Sequence, residues 1–470
     1  MVQNSSAPLL TGTSPGVGTA MRPRSRRPAP PDDSLRGIDV SVNSRFGKTA
    51  LVQRVKTEFL HAWEAYKQYV WGHDQLKPLS RSYHDWYAAP LYITPVDALD
   101  TLLLMGLDDE AARTRAFITS HLSFDKDVYV NNFEITIRLL GGLLSSYQLT
   151  GDQGLLALAE DLGARLLPVF DSPNGIPYRF VNLQSGQVQG PETSSADAGT
   201  LLIELGALSK LTDKPVFYDR AKRALVALYT RRSPIGLVGQ RISVETGEWT
   251  NTHSHLSAEI DSYYEYLLKS WLLFGDPDCR QMWLESISAI NRYLADEDQS
   301  GLWYAEADML SGQHTATRFG ALDAFFPAVL ALSGDLDRAR RLQASCFAMW
   351  TKYGIEPERM NYRTMEVENG AYLLRPEVIE SAYYLYHFSG DPQYLHMGET
   401  CLDSLVRYCR TDTGYASLSN VVTKEKSDRM ESFLLAETFK YLYLLFAPAA
   451  TLSFEQVIFT TEAHPIAKTW

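Results

Sequence analysis

Segments that are apolar on nearly every face alternate along the chain with segments that carry one apolar stripe at helical spacing. The stretch 152–168 (DQGLLALAEDLGARLLP) is of the second kind, as are 54–71 and 335–353. Helices that are apolar all round are buried, whereas amphipathic helices cover them. The pattern therefore predicts an all-α protein with seven inner and seven outer helices. The inner helices are predicted over 94–105, 133–149, 198–211, 256–274, 321–333, 375–388 and 430–446.

A recurring turn signal follows the apolar segments. Gly ends a helix in the left-handed conformation, Asp caps the next helix, and Pro suits its first turn. The signal occurs at Met105-Gly106, Gly151-Asp152, Gly275-Asp276-Pro277, Gly334-Asp335 and Gly390-Asp391-Pro392, with Leu211-Thr212-Asp213-Lys214-Pro215 as a variant. Seven such helix pairs predict a closed (α/α)7 toroid or barrel, and six pairs with an extra hairpin are the alternative.

The connections that lead from outer to inner helices are longer, at about 20 residues or more, which exceeds the usual helical link. Long loops are where binding groups concentrate. These loops all lead into the N-terminal ends of the inner helices, so we expect the functional groups to share one face of the barrel. Strand patterns are scarce.

Composition and charge narrow the range of partners. The chain has 470 residues, of which 45% are hydrophobic, and a formal net charge of −12. No basic stripe interrupts this acidity, so nucleic acid is not an expected partner. No apolar run reaches about 18 residues and no signal-peptide core is visible, so we predict no membrane span. Residues 1–40, rich in Pro, Ser, Gly and Arg, are predicted to form a disordered tail before a single, monomeric domain over 41–470.

The four cysteines form no CxxC pair, which argues against zinc or dithiol chemistry. Cys401 and Cys409 lie eight residues apart on one predicted helix, a rise of about 12 Å that is too long for a disulfide. A bridge between Cys279 and Cys346 cannot be decided from the sequence.

Acidic residues recur in or near the first turns of the predicted inner helices. A charge in so apolar a helix is costly unless it is paired, hydrated or bound to metal. Helix capping explains any one of them, and we prefer it for Asp100 and Asp197, but the whole set exceeds what capping requires. The set comprises Asp97, Asp100, Glu134, Asp197, Asp261, Glu377, Glu380 and Glu431, with Glu437 further along the last helix.

Several carboxylates with few histidines fit glycoside hydrolysis, in which one acid protonates the leaving oxygen and another acts as base or nucleophile. The chain has no HExxH, GxSxG or P-loop motif. Arg138 follows Glu134 by four residues on the same helix face, where it can pair with that acid or bind a sugar hydroxyl. A lyase or epimerase with His84 or His253 at the cleft is a further alternative.

Seven segments resemble glycoside hydrolase family 47, the inverting α-1,2-mannosidases, through most of residues 55–466. They are FLHAWEAY, VDALDTLLLMGL, FEITIRLLGGLLSSYQLTGD, DSYYEYLLKSW, LRPEVIES, MESFLLAETFKYLYLLF and TTEAHP. The resemblance implies an (α/α)7 barrel plugged by a C-terminal hairpin, with a catalytic domain that takes terminal mannose from high-mannose N-glycans or related mannosides.

The resemblance also divides the acids into roles. Glu134 resembles the general acid, Glu377 resembles the base that activates water, and Asp261 resembles a third carboxylate that is an acid or a base. Inversion implies acid and base carboxyls roughly 6.5–9.5 Å apart. The substrate-binding residues implied by the family are Arg138, Arg375, Phe433, Glu437 and Glu380.

A calcium site is implied as well. In the family, side-chain and backbone oxygens of the hairpin threonine, here Thr461, bind Ca²⁺. Waters complete the shell, held by acids that correspond to Glu380, Glu437 and Glu462. Calcium takes 6–8 oxygen ligands and neutralises a crowded acidic pocket, so the arrangement is physically reasonable.

Some positions depart from the processing mannosidases. The segment RFGALDAFFPAVLAL lacks their His and Cys, and together with FTTEAHP it resembles the ER degradation-enhancing mannosidase-like branch. Glu259 occupies a loop position that influences which glycan branch is cut. A mannose-binding lectin with weak or no catalysis is therefore the alternative function. The substrate class leads us to expect a lumenal, periplasmic or secreted protein.

Overall fold

Two concentric rings of helices make up the computed structural model, which describes residues 47–470. The outer helices are Lys48–Val70, Asp108–His121, Gln153–Leu166, Pro215–Tyr229, Pro277–Tyr293, Leu336–Tyr353 and Gln393–Tyr408. The first to fourth inner helices are Ile93–Leu104; Asn132–Ile135 with Thr136–Leu140 and Gly141–Thr150; Ser195–Gly199 with Leu202–Thr212; and Asp261–Phe274. The fifth to seventh are Leu322–Phe325 with Phe326–Ser333; Glu377–Ser389; and Leu434–Thr438 with Phe439–Phe446. The predicted tail over 1–40 lies outside the described residues.

The ring closes because its first and last helices pack together. The first inner helix contacts Leu434–Thr438, and the outer helix Lys48–Val70 packs on Phe439–Phe446. The (α/α)7 prediction is confirmed, and six pairs with an extra hairpin is wrong. Two inner helices contain a π-helical turn, at Thr136–Leu140 and at Leu434–Thr438. Such turns are rare and occur frequently at functional sites.

The turns from inner to outer helices form as the sequence predicts, with a left-handed Gly followed by a capping Asp. Gly275 and Gly390 each end an inner helix with φ of 69°, a conformation that suits glycine. Asp276 then caps the next helix, because its side chain accepts hydrogen bonds from the backbone N–H groups of Asp278 and Cys279 at 2.9 and 3.0 Å. Only two residues, Gly275 and Asp276, therefore separate the inner helix that ends at Phe274 from the outer helix that begins at Pro277.

Short strands occupy the long connections, which the sequence patterns do not predict. Five two-stranded sheets pair Gln75–Lys77 with Ser82–His84, Ala295–Asp298 with Gly301–Tyr304, Arg410–Thr411 with Gly414–Tyr415, Leu418–Asn420 with Glu425–Lys426, and Val457–Phe459 with Pro465–Ala467. Four three-stranded sheets join neighbouring connections: Tyr129–Asn131, Phe180–Asn182 and Val188–Gln189; Glu192–Ser194, Arg241–Ser243 and Trp249–Asn251; His253–Ser254, Glu306–Asp308 and His314–Ala316; Arg318–Gly320, Arg359–Asn361 and Glu366–Asn369. All of the pairs are antiparallel. They satisfy loop backbone groups and brace the barrel's N-terminal face.

The C-terminal hairpin enters the barrel as predicted. Its strands pair Val457 with Ala467, and they pack against the second and fourth inner helices. The tip is admitted because the second inner helix carries glycines there: a Cβ on Gly141 would lie 2.8 Å from the imidazole of His464.

The described part of the chain contains no disulfide, since its four cysteines are buried and free. The prediction that Cys401 and Cys409 do not pair is confirmed. The question left open for Cys279 and Cys346 is answered in the same way, and both thiols pack as small apolar groups.

Candidate active site

A cavity of about 280 Å³ opens between the N-terminal ends of the inner helices. It is closed at its base by the tip of the C-terminal hairpin, which contributes Thr461 and Glu462 to the lining. The acids that line it are Glu134, Asp197, Glu259, Asp261, Glu265, Glu377, Glu380, Glu437 and Glu462. Every catalytic, substrate-binding and metal-binding residue predicted from the sequence lines this cavity, including Arg138, Arg375 and Phe433.

Glu134 is positioned by the capped start of the second inner helix. The side chain of Asn131 accepts hydrogen bonds from the backbone N–H groups of Phe133 and Glu134, at 2.9 and 3.3 Å. One turn later, Arg138 Nε donates to Glu134 Oε2 at 3.1 Å, the i,i+4 pair that the sequence predicts. The Glu134 side chain remains 31% exposed, so it is accessible from the cavity mouth.

Arg138 connects this acid to the base of the cavity. Its Nη1 donates to Glu462 and lies 3.7 Å from Asp97 Oδ2. Its guanidinium also lies over the rings of Trp86 and Phe433, at 5.3 and 5.7 Å from their centroids. Burial disfavours its charge, but the surrounding carboxylates raise the pKa above its ordinary value. Arg138 therefore remains a fixed cation at the centre of the site.

Glu377 lines the same cavity as Glu134, from the start of the sixth inner helix. Leu374 precedes it with φ of 67°, an unusual conformation for a non-glycine residue, which turns the chain sharply into the helix. Arg375 pairs with Glu358 at 2.5 Å, and its guanidinium lies 5.4 Å from the centroid of Phe433. Burial raises the pKa of Glu377 to about 7, while the positive charge of Arg375 limits the rise. The Oε2 atom of Glu377 has no hydrogen-bond partner within residues 47–470.

Asp261 begins the fourth inner helix. Burial, with smaller contributions from Glu265 and other nearby acids, raises its pKa to about 8. The only side-chain hydrogen bonds of Asp261 in the described structure involve Ser262, whose backbone N–H donates to Oδ1 at 2.9 Å. A carboxyl in this environment is protonated at neutral pH and can donate a proton.

Glu265, a cavity acid that the sequence analysis missed, lies one turn after Asp261. It pairs with the buried Lys269 one turn further on. The i,i+4 spacing of Asp261, Glu265 and Lys269 was the signal, because such residues share one helix face.

Glu380 and Glu437 lie deeper, next to Glu377. Burial raises the pKa of Glu380 to about 8, opposed by the charge of Lys269, and Tyr441 donates to its Oε1 at 3.2 Å. Burial, together with Glu377 and Glu380, raises the pKa of Glu437 well above its ordinary value. The crowding of these carboxyls means that their ionised forms need an additional positive charge.

The hairpin tip is held from both sides. The backbone N–H of Thr461 donates to the Tyr266 hydroxyl at 3.2 Å, and that hydroxyl donates to Glu204 on the third inner helix. On the other side, the imidazole of His464 contacts Asp100 at 2.7 Å and Asp97 at 3.2 Å. Thr461 is thereby fixed at the base of the cavity.

No three His, Cys, Asp or Glu side chains converge on a metal position within residues 47–470. Any ion at this base must therefore take most of its ligands from Thr461 oxygens and water.

Three of the acids predicted to converge lie outside the cavity. For Asp100, moreover, the capping explanation is wrong: it lies in the middle of the first inner helix, and its Oδ1 pairs with Lys440 at 2.8 Å. Asp97, on the same helix, contacts His464 at 3.2 Å, and Glu431 pairs with Arg429. Asp197 lies in the first turn of the third inner helix, faces the cavity and pairs with Arg179 at 3.1 Å.

The alternative of a lyase or epimerase requires His84 or His253 at the cleft, and the cavity does not contain either residue. His84 and His253 are exposed, and neither lines the cavity. Glu259 does line the mouth, with φ of 77°, and pairs with Arg241 at 2.6 Å. The described cavity therefore offers carboxyls, three guanidinium groups and three phenylalanine rings, a set that fits acid–base cleavage of a glycosidic bond.

Comparison with known proteins gives the same picture. Residues 58–468 match the profile of glycosyl hydrolase family 47. The chain is 39% identical to Alpha-mannosidase I MNS5 of Arabidopsis thaliana over 89% of its own length and 77% of the relative. It is 38% identical to the ER degradation-enhancing alpha-mannosidase-like protein 2 of Mus musculus, over 88% of this chain and 77% of that protein.

A solved structure agrees with both fold and family. The alpha-1,2-mannosidase from Trichoderma reesei superposes with a TM-score of 0.83 at 27% sequence identity, over 89% of this chain and 99% of that one.

Proposed function

Because the chain belongs to glycosyl hydrolase family 47, it is a glycosidase of the α-1,2-mannosidase type, and we propose that it removes terminal α-1,2-linked mannose from high-mannose N-glycans or related mannosides. The family predicted from the sequence motifs is confirmed. The proposal further specifies exo-action, inversion of the anomeric centre and dependence on Ca²⁺. The observation that carries it is the set of facing carboxyls in one cavity, around Phe433.

Exo-action is supported by the closed base of the cavity. The hairpin residues Thr461 and Glu462 line the cavity inside the barrel, which favours entry of a glycan chain by its end. Phe433 lies between the guanidinium groups of Arg138 and Arg375, and its ring can pack on one face of a sugar. The donors of the two arginines suit the hydroxyls of a terminal mannose.

Glu377 is proposed as the base. Its Oε2 has no partner in the described chain, and Glu377 lines the cavity, where a carboxylate can accept a proton from water. Water attacks the anomeric carbon from the face opposite the leaving oxygen, the glycosidic bond breaks, and the leaving oxygen receives a proton. This sequence converts an α-linked mannose into β-mannose.

Two residues remain candidates for the proton donor. Glu134 resembles the family's acid, is accessible from the cavity mouth and pairs with Arg138. Asp261, with a pKa of about 8, is protonated at neutral pH. We propose Glu134 as the donor, acting through water, with Asp261 as the alternative donor or as a second base.

Thr461 is proposed to bind Ca²⁺, with Glu380, Glu437 and Glu462 holding water ligands. The donor set fits, since it consists of oxygen atoms and lies among carboxyls whose ionised forms repel one another. When bound, the ion supplies positive charge and coordination sites for mannose hydroxyls. The protein's own part is to fix Thr461 through Tyr266 and to keep Glu462 in contact with Arg138.

A mannose-binding protein with little turnover is the second candidate. The observation that favours it is the likeness to an ER degradation-enhancing relative, together with Glu259 at the cavity mouth. The substrate class supports a lumenal, periplasmic or secreted location. No helix within residues 47–470 is long and apolar enough to cross a membrane.

The test is hydrolysis of mannose-α-1,2-mannose by the purified protein, with and without EDTA. We expect mannose release that stops with EDTA, returns with Ca²⁺ and is lost in Glu377→Gln. Glu399→Gln is a matched control, because Glu399 is buried on an outer helix and does not line the cavity. Release that survives EDTA would contradict the calcium proposal. Glycan binding without turnover, unchanged by Glu377→Gln, would support the second candidate.

A further inference from the structure

A buried serine, Ser381, lies one helical turn after Glu377 on the sixth inner helix. Its hydroxyl donates a hydrogen bond to the carbonyl of Ala324 at 2.6 Å and accepts one from the backbone N–H of Ala328 at 3.1 Å, both on the fifth inner helix. We propose that Ser381 is a positioning residue for the reaction, and that this bridge fixes the base Glu377 against the fifth inner helix. The inference rests on the proposed role of Glu377 and extends it from the carboxyl to the contact that holds it.

The bridge occurs at an irregular point of the fifth inner helix. The first turn, Leu322–Phe325, is a 3-10 turn, and the α-helix begins at Phe326. Ala324 and Ala328 are four residues apart, the spacing at which an unbroken α-helix joins C=O and N–H directly. The N–H of Ala328 is also one of the first four of its α-helix, which have no partners within that helix. The Ser381 hydroxyl bonds to both groups, so the contact fixes position as well as distance.

The environment of the bridge makes its loss costly. Ser381, Ala324 and Ala328 are all buried, so water does not compete for these hydrogen bonds. Removing the hydroxyl would leave a buried N–H and a buried carbonyl without this partner. The two alanines also present little bulk, which lets the fifth and sixth inner helices approach closely at this point.

Glu377 and Ser381 are linked by helix geometry. They are four residues apart, so their side chains project from the same face of the sixth inner helix. A rotation of this helix about its axis, or a slide along the fifth inner helix, would displace the Glu377 carboxyl and strain the Ser381 bridge at the same time. The bridge therefore resists the motions that would move the base in the cavity.

Two further contacts hold the same segment from other directions. The Thr438 hydroxyl, on the seventh inner helix, donates to the carbonyl of Leu374 at 2.7 Å, three residues before the base. From the outer ring, Gln343 Nε2 donates to the carbonyl of Val378 at 3.0 Å. Ser381 supplies the contact toward the fifth inner helix. Its loss should therefore displace the base without unfolding the sixth inner helix.

The test is Ser381→Ala in the full-length protein, assayed with mannose-α-1,2-mannose at saturating Ca²⁺. We expect kcat to fall about 10- to 100-fold, because misplacing a reacting group by about 1 Å can cost that much. KM should stay near the wild-type value, since Arg138 lies on the second inner helix and Phe433 at the start of the seventh. A serine with a purely structural role would lower the melting temperature and leave kcat unchanged.

Ser404→Ala is the matched control. Ser404 is also buried, and its hydroxyl accepts a hydrogen bond from the indole N–H of Trp350 at 3.2 Å and donates one to the carbonyl of Thr400 at 2.9 Å. This contact joins two outer helices, so the variant should lose thermal stability and keep the wild-type kcat. If Ser381→Ala does not fold, Ser381→Cys replaces it, because a thiol forms only weak hydrogen bonds. Its kcat should then lie below that of the wild type at an unchanged KM.

A double variant separates this inference from the proposed function. If Ser381 acts through Glu377, adding Ser381→Ala to Glu377→Gln should cause no further loss of kcat, whereas a further loss of about tenfold would overturn the inference. Wild-type kcat in Ser381→Ala, when Glu377→Gln is strongly impaired, would overturn the inference and leave the proposed function intact. Activity that survives Glu377→Gln would contradict the proposed base and the positioning role together.

Discussion

The hydroxyl of Tyr266 accepts a hydrogen bond from the backbone N–H of Thr461 at 3.2 Å and donates one to the buried Glu204. Tyr266 lies on the fourth inner helix, so this contact joins the hairpin tip to the barrel wall. Because Thr461 is the proposed calcium ligand, Tyr266 is a positioning residue for the ion: it sets where the threonine oxygens lie without touching the substrate.

Tyr266→Phe should therefore weaken calcium binding. Loss of an outer contact to a metal ligand typically costs about 10–100-fold in affinity, and calorimetric titration of the metal-free protein with Ca²⁺ measures it. Tyr263→Phe is the matched control, since the Tyr263 hydroxyl is also buried but has no hydrogen-bond partner in the described chain. Wild-type affinity in Tyr266→Phe would contradict the role assigned to this contact.

The pH dependence of kcat should report on Glu377 and Arg375. A base must be ionised, so activity is expected to fall as the pH drops through the Glu377 pKa of about 7. Arg375→Gln removes the positive charge that limits the rise of the Glu377 pKa. The pH below which kcat falls should therefore move to a higher value. Arg179→Gln removes an arginine that is paired with Asp197. In this variant the pH at which kcat falls should equal that of the wild type. If kcat instead falls at a lower pH in Arg375→Gln than in the wild type, the result would be inconsistent with Glu377 as the base.

The proton donor can be identified with a substrate that does not need one. Fluoride leaves without protonation, so the donor's variant should retain most of its activity on α-mannosyl fluoride while losing about 10²–10⁴-fold on the disaccharide. Glu134→Gln is expected to show this separation, and Glu377→Gln should lose activity on both substrates. If Asp261→Asn alone separates the two substrates, Asp261 is the donor and the assignment of Glu134 is wrong.

Asp100 should stabilise the fold rather than the reaction. Lys440 and His464 outweigh the effect of burial and lower its pKa from 3.8 to about 2. Because the folded-state pKa lies below the unfolded value, the ionised carboxylate stabilises the protein above about pH 4, and this contribution is lost as the pH falls toward 2.

Asp100→Asn should consequently lower the free energy of unfolding at pH 7 by about 3–5 kcal/mol, because it leaves two buried cations without their partner. Denaturant unfolding at pH 7 and in the acid range measures this. We expect the difference in free energy of unfolding between wild type and variant to shrink below pH 4. A difference that grows there would contradict the stabilising role of the ionised Asp100 carboxylate.

The sequence predicts the barrel and most of the cavity because both depend on local patterns. Helices that are apolar all round, Gly–Asp turns and acids such as Glu377 in apolar helices are visible within a few residues of each other. Helix periodicity also predicts that Glu265 lies on the same helix face as Asp261 and Lys269, because the three residues are spaced four apart.

What the sequence does not predict depends on contacts between distant segments. Local sequence predicts capping for Asp100, because its true partners, Lys440 and His464, lie more than 300 residues away along the chain. Arg179 reaches Asp197 from a loop, and no spacing rule connects them. The short strands around the cavity contain only two to four residues, too few for alternation to be read. Their formation depends on loop segments that the ring brings together.

The stereochemistry of the released sugar tests the central claim most directly. Proton NMR spectra, recorded during the first minutes of hydrolysis of the methyl α-glycoside of mannose-α-1,2-mannose, whose second sugar has no free anomeric carbon, distinguish the anomers of newly released mannose before they interconvert. The account, with Glu377 directing water to the face opposite the leaving oxygen, predicts that β-mannose appears first and α-mannose only later. Appearance of α-mannose first would contradict it.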